Sequence, residues 1–272
     1  MEYADTLARV PRRVRVSAGP PSAAPVRLAL PGSKYYTLRY ALAALLASGE
    51  SVLRHPAISD DTAVLVDAMR ALGGIVTIER DCLRITGCGG RPATPVGPLQ
   101  MGNAGAVLRL LLGIGALLPQ VSFATDHPDS LGQRPNADLL DALRALGVTC
   151  EASEPGGRLP ITLRGGPPRG GAVSVSGASS SQFVSALLFL APLLADGLDI
   201  QVLGEARSGG FIAATLRVQA EAGIQVDAAP DRRRLRVPGD QAYRPGEWIA
   251  PGDVPSAAAL IAAGLVTAHG GP

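Results

Sequence analysis

Four short stretches of this chain put small polar residues, cations or a carboxylate at or just before the start of an apolar segment. They are PGSKYYTLR at 31–39, GNAGAVLR at 102–109, ASSSQF at 178–183 and PGDVPS at 251–256. A helix N-terminus presents free backbone N–H groups and a partial positive charge, a combination that suits anions. Gly32, Gly102, Gly105 and Gly177 let the backbone approach a ligand closely. Lys34, Arg39, Arg109 and Arg134 add full positive charge from the same places. The chemistry this favours is the binding of several anionic groups on one face. Each signal also has a plainer reading. Gly-rich helix starts are often only caps, and Ser180, Ser181 and Gln182 fit a plain N-cap. Arg39 and Arg109 lie several residues inside apolar segments, where an arginine without an anion is costly. They read as anion ligands or as halves of structural ion pairs. His55, His127 and His269 have no partner motif and read as surface or loop residues.

The elements that would position these groups recur along the chain. DAMRALGG at 67–74, DALRALGV at 141–148 and VQAEAGIQ at 218–225 end three helices at Gly73, Gly147 and Gly223, which lie 74 and 76 residues apart. The strands that close each copy also correspond: LRITG at 83–87, LPITLRG at 159–165 and RLRVPG at 234–239. A fixed period marks a repeated supersecondary unit. With the strand before each loop included, each copy is β-α-β-α-β-β. The first helix of each copy, within 37–49, 103–118 and 180–197, is apolar nearly all round and belongs in the interior. The second helix of the first copy begins at 60, with Asp60 or Asp61 as its N-cap. RRVRVSAG at 12–19 and VRLALPG at 26–32 alternate as strands do. The expected organisation is an N-terminal extension and strand at 1–29 belonging to an incomplete domain, a complete three-module domain at 30–242, and the start of a second domain at 243–272. That last segment opens a fourth copy, at 249–268, and the chain stops inside it.

Composition excludes several function classes. With 25 basic and 23 acidic residues in 272, the net charge of +2 is too balanced for nucleic-acid binding by bulk charge. Cys82, Cys88 and Cys150 lack zinc-ligand or redox spacing and suit a reducing compartment. The 47% apolar content comes without an unbroken membrane-length run, and the N-terminus lacks an apolar signal core. A cytoplasmic location is the expectation.

In order and spacing, the loop strings resemble those of the enolpyruvyl transferase family. The matches are PGSK at 31–34 with Arg39, SDDT at 59–62, GNAG at 102–105 with Arg109, SLGQRP at 130–135, SSQF at 180–183, Ser208 before Phe211, and PGD at 251–253. The branch whose acceptor is shikimate 3-phosphate is the nearer match, over about residues 25–268. A sister branch acting on UDP-N-acetylglucosamine matches less well, because it typically carries a Lys-Asn pair at the first loop.

The resemblance implies an inside-out, barrel-like α/β domain of three βαβαββ modules, a second domain of the same kind, and an active site in the cleft between them. It implies transfer of the enolpyruvyl group of phosphoenolpyruvate to the 5-hydroxyl of shikimate 3-phosphate, a step of the shikimate pathway to aromatic amino acids, with no metal or organic cofactor. Lys34 and Asp253 would be catalytic. Lys34, Gly105, Arg134 and Gln182 would contact phosphoenolpyruvate. Lys34, Arg39, Ser180, Ser181, Gln182, Ser208 and Asp253 would hold shikimate 3-phosphate. Three positions depart from the family's habit. Tyr35 replaces a small hydroxyl residue, Ala106 a common threonine, and Gly209-Gly210-Phe211 a basic-Pro-Tyr string. The alternatives are a non-catalytic half-enzyme, or a divergent paralogue binding a related anion. Self-association through the C-terminal apolar segment is a further expectation.

Overall fold

The computed structural model describes residues 29–204 and 209–267. The strands expected within 1–28, and Ser208, lie outside the described residues. The first module runs α1 (Lys34–Leu46), β1 (Glu50–Arg54), α2 (Asp60–Ala71), β2 (Ile75–Ile78) and β3 (Cys82–Thr86). The second runs β4 (Leu99–Gln100), α3 (Gly105–Gly115), β5 (Gln120–Ala124), α4 (Ala137–Ala145), β6 (Thr149–Ser153) and β7 (Arg158–Arg164). The third runs β8 (Gly171–Ser176), α5 (Ser181–Leu190), β9 (Leu198–Leu203), α6 (Gly209–Glu221), β10 (Asp227–Ala228) and β11 (Arg234–Val237). The strand β12 (Glu247–Ile249) and the helix α7 (Val254–Thr267) follow.

Each module carries one four-stranded sheet, and the three sheets share one plan. Their orders are β12-β1-β3-β2, β4-β5-β7-β6 and β8-β9-β11-β10. The first pair in each is parallel and the others are antiparallel. The repeat is also visible in the backbone. Gly73, Gly147 and Gly223 have φ of +92°, +94° and +83°, so each second helix ends on a left-handed residue that glycine adopts without steric cost. Among the described residues the sheets are separate and close no barrel; the fold is mixed α/β.

The first helices fill the interior. Residues 37–46 of α1, nearly all of α3 and 183–190 of α5 are buried, as their all-round apolar character requires. Burying a Leu or Phe side chain contributes about 1.5–3 kcal/mol, and leucines and phenylalanines supply the bulk of this layer between smaller residues such as Ala and Gly.

The segment after 242 differs from the sequence reading. Tyr243, assigned to the start of a second domain, is 2% exposed, and its hydroxyl donates to the Phe189 carbonyl at 3.0 Å. β12 runs parallel to β1, with Leu53 opposite Trp248, and Trp248 stacks on Tyr40 at 5.5 Å. The strand preceding the fourth loop therefore completes the sheet of the first module. The reason is local. β1 has a free edge whose N–H and C=O groups need partners, and β12 follows the third module directly. Beyond it α7 stands proud, with Val254, Leu260 and Ile261 at 72%, 45% and 58% exposure.

Candidate active site

The first and fourth loops meet although more than two hundred residues separate them. Gly32 and Gly252 form an antiparallel bridge. The Ser33 N–H donates to the Pro251 carbonyl at 2.7 Å, and the Asp253 N–H donates to the Pro31 carbonyl at 2.8 Å. Gly32 is required by close approach, since a Cβ there would lie 1.9 Å from the His55 carbonyl oxygen. The bridge sets the N-terminus of α1, carrying Lys34, beside that of α7, capped by Asp253. Asp253 is 9% exposed. Its Oδ2 accepts from the Ser256 N–H at 3.0 Å and the Ser256 hydroxyl at 2.6 Å, while its buried Oδ1 has no hydrogen-bond partner among the described residues. A buried carboxylate oxygen without a donor leaves an acceptor for an incoming hydroxyl. Lys34 Nζ lies 3.4 Å from Asp61, in the first turn of α2. The N-cap of α2 is Ser59, one residue before the expected Asp60 or Asp61, and its side chain accepts from the Thr62 N–H. Both aspartates thereby sit in the first turn, where carboxylates suit the helix dipole.

The second and third loops meet through a guanidinium. Arg109 Nη1 donates to Gln182 Oε1 at 2.7 Å, and its Nε reaches Asn136 Oδ1 at 3.5 Å. Asn136, fully buried, donates to the carbonyls of Arg134 and Gly157. It thus fixes the backbone that carries Arg134. The Arg134 guanidinium lies over Gly105, where a Cβ would be 2.7 Å from its Nη1. Burial and then the neighbouring Arg134 charge push the Arg109 pKa down. Among the described residues neither arginine is ion-paired with a carboxylate. Two cations held together without an anion make a site for one. Ser180 caps α5 by accepting from the Gln182 N–H at 3.2 Å. Ser181 is 5% exposed at the first position of that helix.

Arg39 points inward. It is 3% exposed, and its Nε donates to Thr215 Oγ1 at 2.8 Å. Its Nη groups donate to the Tyr35 carbonyl at 2.9 Å, the Phe211 carbonyl at 3.2 Å and Ser185 Oγ at 3.4 Å. All four acceptors are neutral. Burial lowers its pKa to about 10. Among the described residues the charge meets hydroxyls and carbonyls of α1, α5 and α6 and no carboxylate, so the structural ion pair is not formed.

A bonded path therefore joins three loops, from Arg39 through Ser185 and the Ser181 carbonyl to Gln182, Arg109, Asn136 and the Arg134 backbone. Asn136, Ser185 and Thr215 escaped the sequence reading, which had Asp61 as a helix cap and not as the partner of Lys34. Asn136 directly follows the SLGQRP string. Ser185 is a polar residue inside the apolar run FVSALLFL, a signal that was open to view. His127 pairs with Asp126 on the surface, as a loop histidine would, whereas His55 reaches the Ala250 carbonyl at 3.3 Å with φ of +54°.

Comparison with known proteins bears on the family and the fold. A 3-phosphoshikimate 1-carboxyvinyltransferase of Deinococcus radiodurans is 46% identical over 231 residues, covering 85% of this chain and 52% of that protein. Its counterpart in Halobacterium salinarum is 38% identical over 253 residues, covering 92% and 58%. The chain thus spans about half the length of the curated relatives it matches. Among solved structures, EPSP synthase from Acinetobacter baumannii shares the fold at a TM-score of 0.74 and 24% identity, covering 85% of this chain and 51% of that one. The enolpyruvyl transferase NikO from Streptomyces tendae shares it at 0.62 and 16%, covering 83% and 51%. The family described as EPSP synthase (3-phosphoshikimate 1-carboxyvinyltransferase) matches residues 20–270. With that match spanning almost the whole sequence, this chain belongs to the EPSP synthase family.

Proposed function

We propose that this chain supplies one wall of an active site that transfers the enolpyruvyl group of phosphoenolpyruvate to the 5-hydroxyl of shikimate 3-phosphate. The observation that carries the reading is the bridge of the first and fourth loops. It sets Lys34 beside a buried aspartate with a free oxygen, on a chain whose other loops gather Arg109, Arg134 and Gln182. Two multiply charged anions must lie side by side in this reaction. Fixed cations and helix N-termini offset their repulsion without reorganising.

In the proposed chemistry, Asp253 takes the proton of the 5-hydroxyl as its oxygen bonds to the central carbon of phosphoenolpyruvate. Lys34 delivers a proton to the methylene carbon. Return of a methyl proton to Lys34 as phosphate departs, taking the proton held by Asp253, restores the double bond, so protons and electrons balance. Arg134, Gln182 and the Gly105 backbone hold phosphoenolpyruvate, with Arg109 fixing Gln182. Lys34, Arg39, Ser180, Ser181, Gln182 and Asp253 hold shikimate 3-phosphate, and Ser208 joins them by family resemblance. Residues 30–242 with β12 constitute one three-module unit of inside-out, barrel-like plan, and α7 opens a second unit of the same kind. The apolar surface of α7 drives self-association where that layer is missing, which light scattering tests.

Calorimetry with shikimate 3-phosphate tests the binding half of this reading, and phosphate release from phosphoenolpyruvate tests the chemistry. Binding is expected in the wild type and in Asp253→Asn, because the amide oxygen still accepts from Ser256. Phosphate release, measured with the chain completed to the length of its relatives, is expected to fall by about 100-fold or more in that variant. Unchanged turnover in Asp253→Asn would remove the general base from the scheme.

A further inference from the structure

Asp253 uses its two carboxylate oxygens differently. Its backbone carbonyl accepts from the Ala257 N–H at 3.2 Å, which opens α7. An N-cap side chain takes the N–H of the second or third helical residue. The second residue of α7 is Pro255, which has no N–H to give. The cap falls on the third, Ser256, whose N–H reaches Oδ2 at 3.0 Å. The Ser256 hydroxyl donates to the same oxygen at 2.6 Å, within the roughly 2.5–2.7 Å of a charge-assisted O–H bond to a carboxylate. Both donors thus fall on Oδ2. Oδ1 is buried and has no hydrogen-bond partner among the described residues.

A carboxylate turns easily about its Cβ–Cγ bond, because that torsion is broad and nearly two-fold. A single N–H donor holds one oxygen and leaves the plane of the group loosely set. A second donor on the same oxygen narrows the range, and the bond from the Asp253 N–H to the Pro31 carbonyl fixes the backbone behind it. We infer that Ser256 is a positioning residue whose hydroxyl occupies Oδ2 and makes Oδ1 the atom that receives the acceptor's proton. The inference rests on the functional reading above, in which Asp253 is the base. The proton passes from the 5-hydroxyl to Oδ1, and the Ser256 hydroxyl keeps its own proton throughout. Ser256 is exposed and acts only through Asp253. A base works within about 2.6–3.2 Å of the proton it takes, and misplacement by about 1 Å costs about 100-fold. Losing one of two donors loosens the group by less than that.

The test is phosphate release by the chain completed to the length of its relatives, as wild type, Ser256→Ala, Ser256→Thr, Asp253→Asn and the double variant Asp253→Asn/Ser256→Ala. Calorimetry with shikimate 3-phosphate accompanies each. Ser256→Ala is expected to lower kcat by about tenfold while the Kd changes by less than about twofold. Ser256→Thr, which keeps the hydroxyl, is expected to restore most of the rate. Adding Ser256→Ala to Asp253→Asn is expected to cost nothing further, because no base is left to aim. Unchanged kcat in Ser256→Ala, or a further tenfold loss in the double variant, would overturn this inference and leave the functional reading standing. So would a loss that appears in Kd instead of kcat, since Ser256 would then be a substrate ligand. Absence of turnover in the wild type, or unchanged turnover in Asp253→Asn, would overturn both.

Discussion

Replacing Gly32 with alanine tests the link between fold and site most directly. The added Cβ would stand 1.9 Å from the His55 carbonyl oxygen and 3.0–3.1 Å from backbone carbons of His55 and Pro56. Non-bonded heavy atoms settle near about 3.5 Å, so the two segments must part by about 1.5 Å. His55 cannot turn aside easily. Its φ of +54° is already left-handed, and its side chain is tied to Ala250. Parting them breaks the Ser33–Pro251 and Asp253–Pro31 hydrogen bonds, each worth about 0.5–1.5 kcal/mol. Overpacking adds about 1–3 kcal/mol. The sum, about 2–6 kcal/mol, lowers the melting midpoint by roughly 5–20 °C for a unit of this size. The same separation takes Lys34 away from Asp253, so shikimate 3-phosphate is expected to bind about tenfold more weakly. Gly252→Ala is the control within the same bridge. Its Cβ meets only the Leu30 side chain, at 3.3 Å, and the cost should stay within about 1 kcal/mol. A Gly32→Ala chain that melts and binds like the wild type would refute the argument.

Gly105→Ala is expected to drive the Arg134 guanidinium off its seat, since the new Cβ would meet Nη1 at 2.7 Å. Phosphoenolpyruvate binding should weaken by about tenfold or more, with the melting midpoint and shikimate 3-phosphate affinity nearly unchanged; titration of both ligands checks this. Glu221 bears on pH. Burial alone would raise its pKa, but hydrogen bonds from Tyr40 and Arg217 and the Arg217 charge hold it below the usual carboxylate value. The folded state therefore binds its proton less readily than the unfolded chain. The resulting stability is complete above about pH 4.5 and drains as pH falls through the folded value. Denaturant titrations between pH 3 and 6, roughly the carboxylate range, should show a shallower acid loss in Glu221→Gln. Asn136→Ala removes two donations to backbone carbonyls and the acceptor for Arg109. It is expected to cost about 1–3 kcal/mol, together with weaker phosphoenolpyruvate binding.

The sequence by itself determined the repeat and most of the loops. The marker glycines sit where left-handed helix ends are needed, and all-round apolar segments had no place but the interior. Lys34, Arg134 and Gln182 were visible because cations and Gly/Ser runs coincided at successive helix starts. What only the tertiary structure decided was partnership. Periodicity is local along the chain, and it does not say which sheet edge a strand will find. β12 was therefore assigned by order to a second unit, whereas the free edge of β1 claimed it. The meeting of PGSK with PGD, and of Tyr35 with Phe211, depends on that closure across the whole domain. The fate of Arg39 was undecided for the same reason. Which hydroxyls and carbonyls a buried guanidinium meets is set by the helices beside it, and Ser185 and Thr215 are 146 and 176 residues away in sequence.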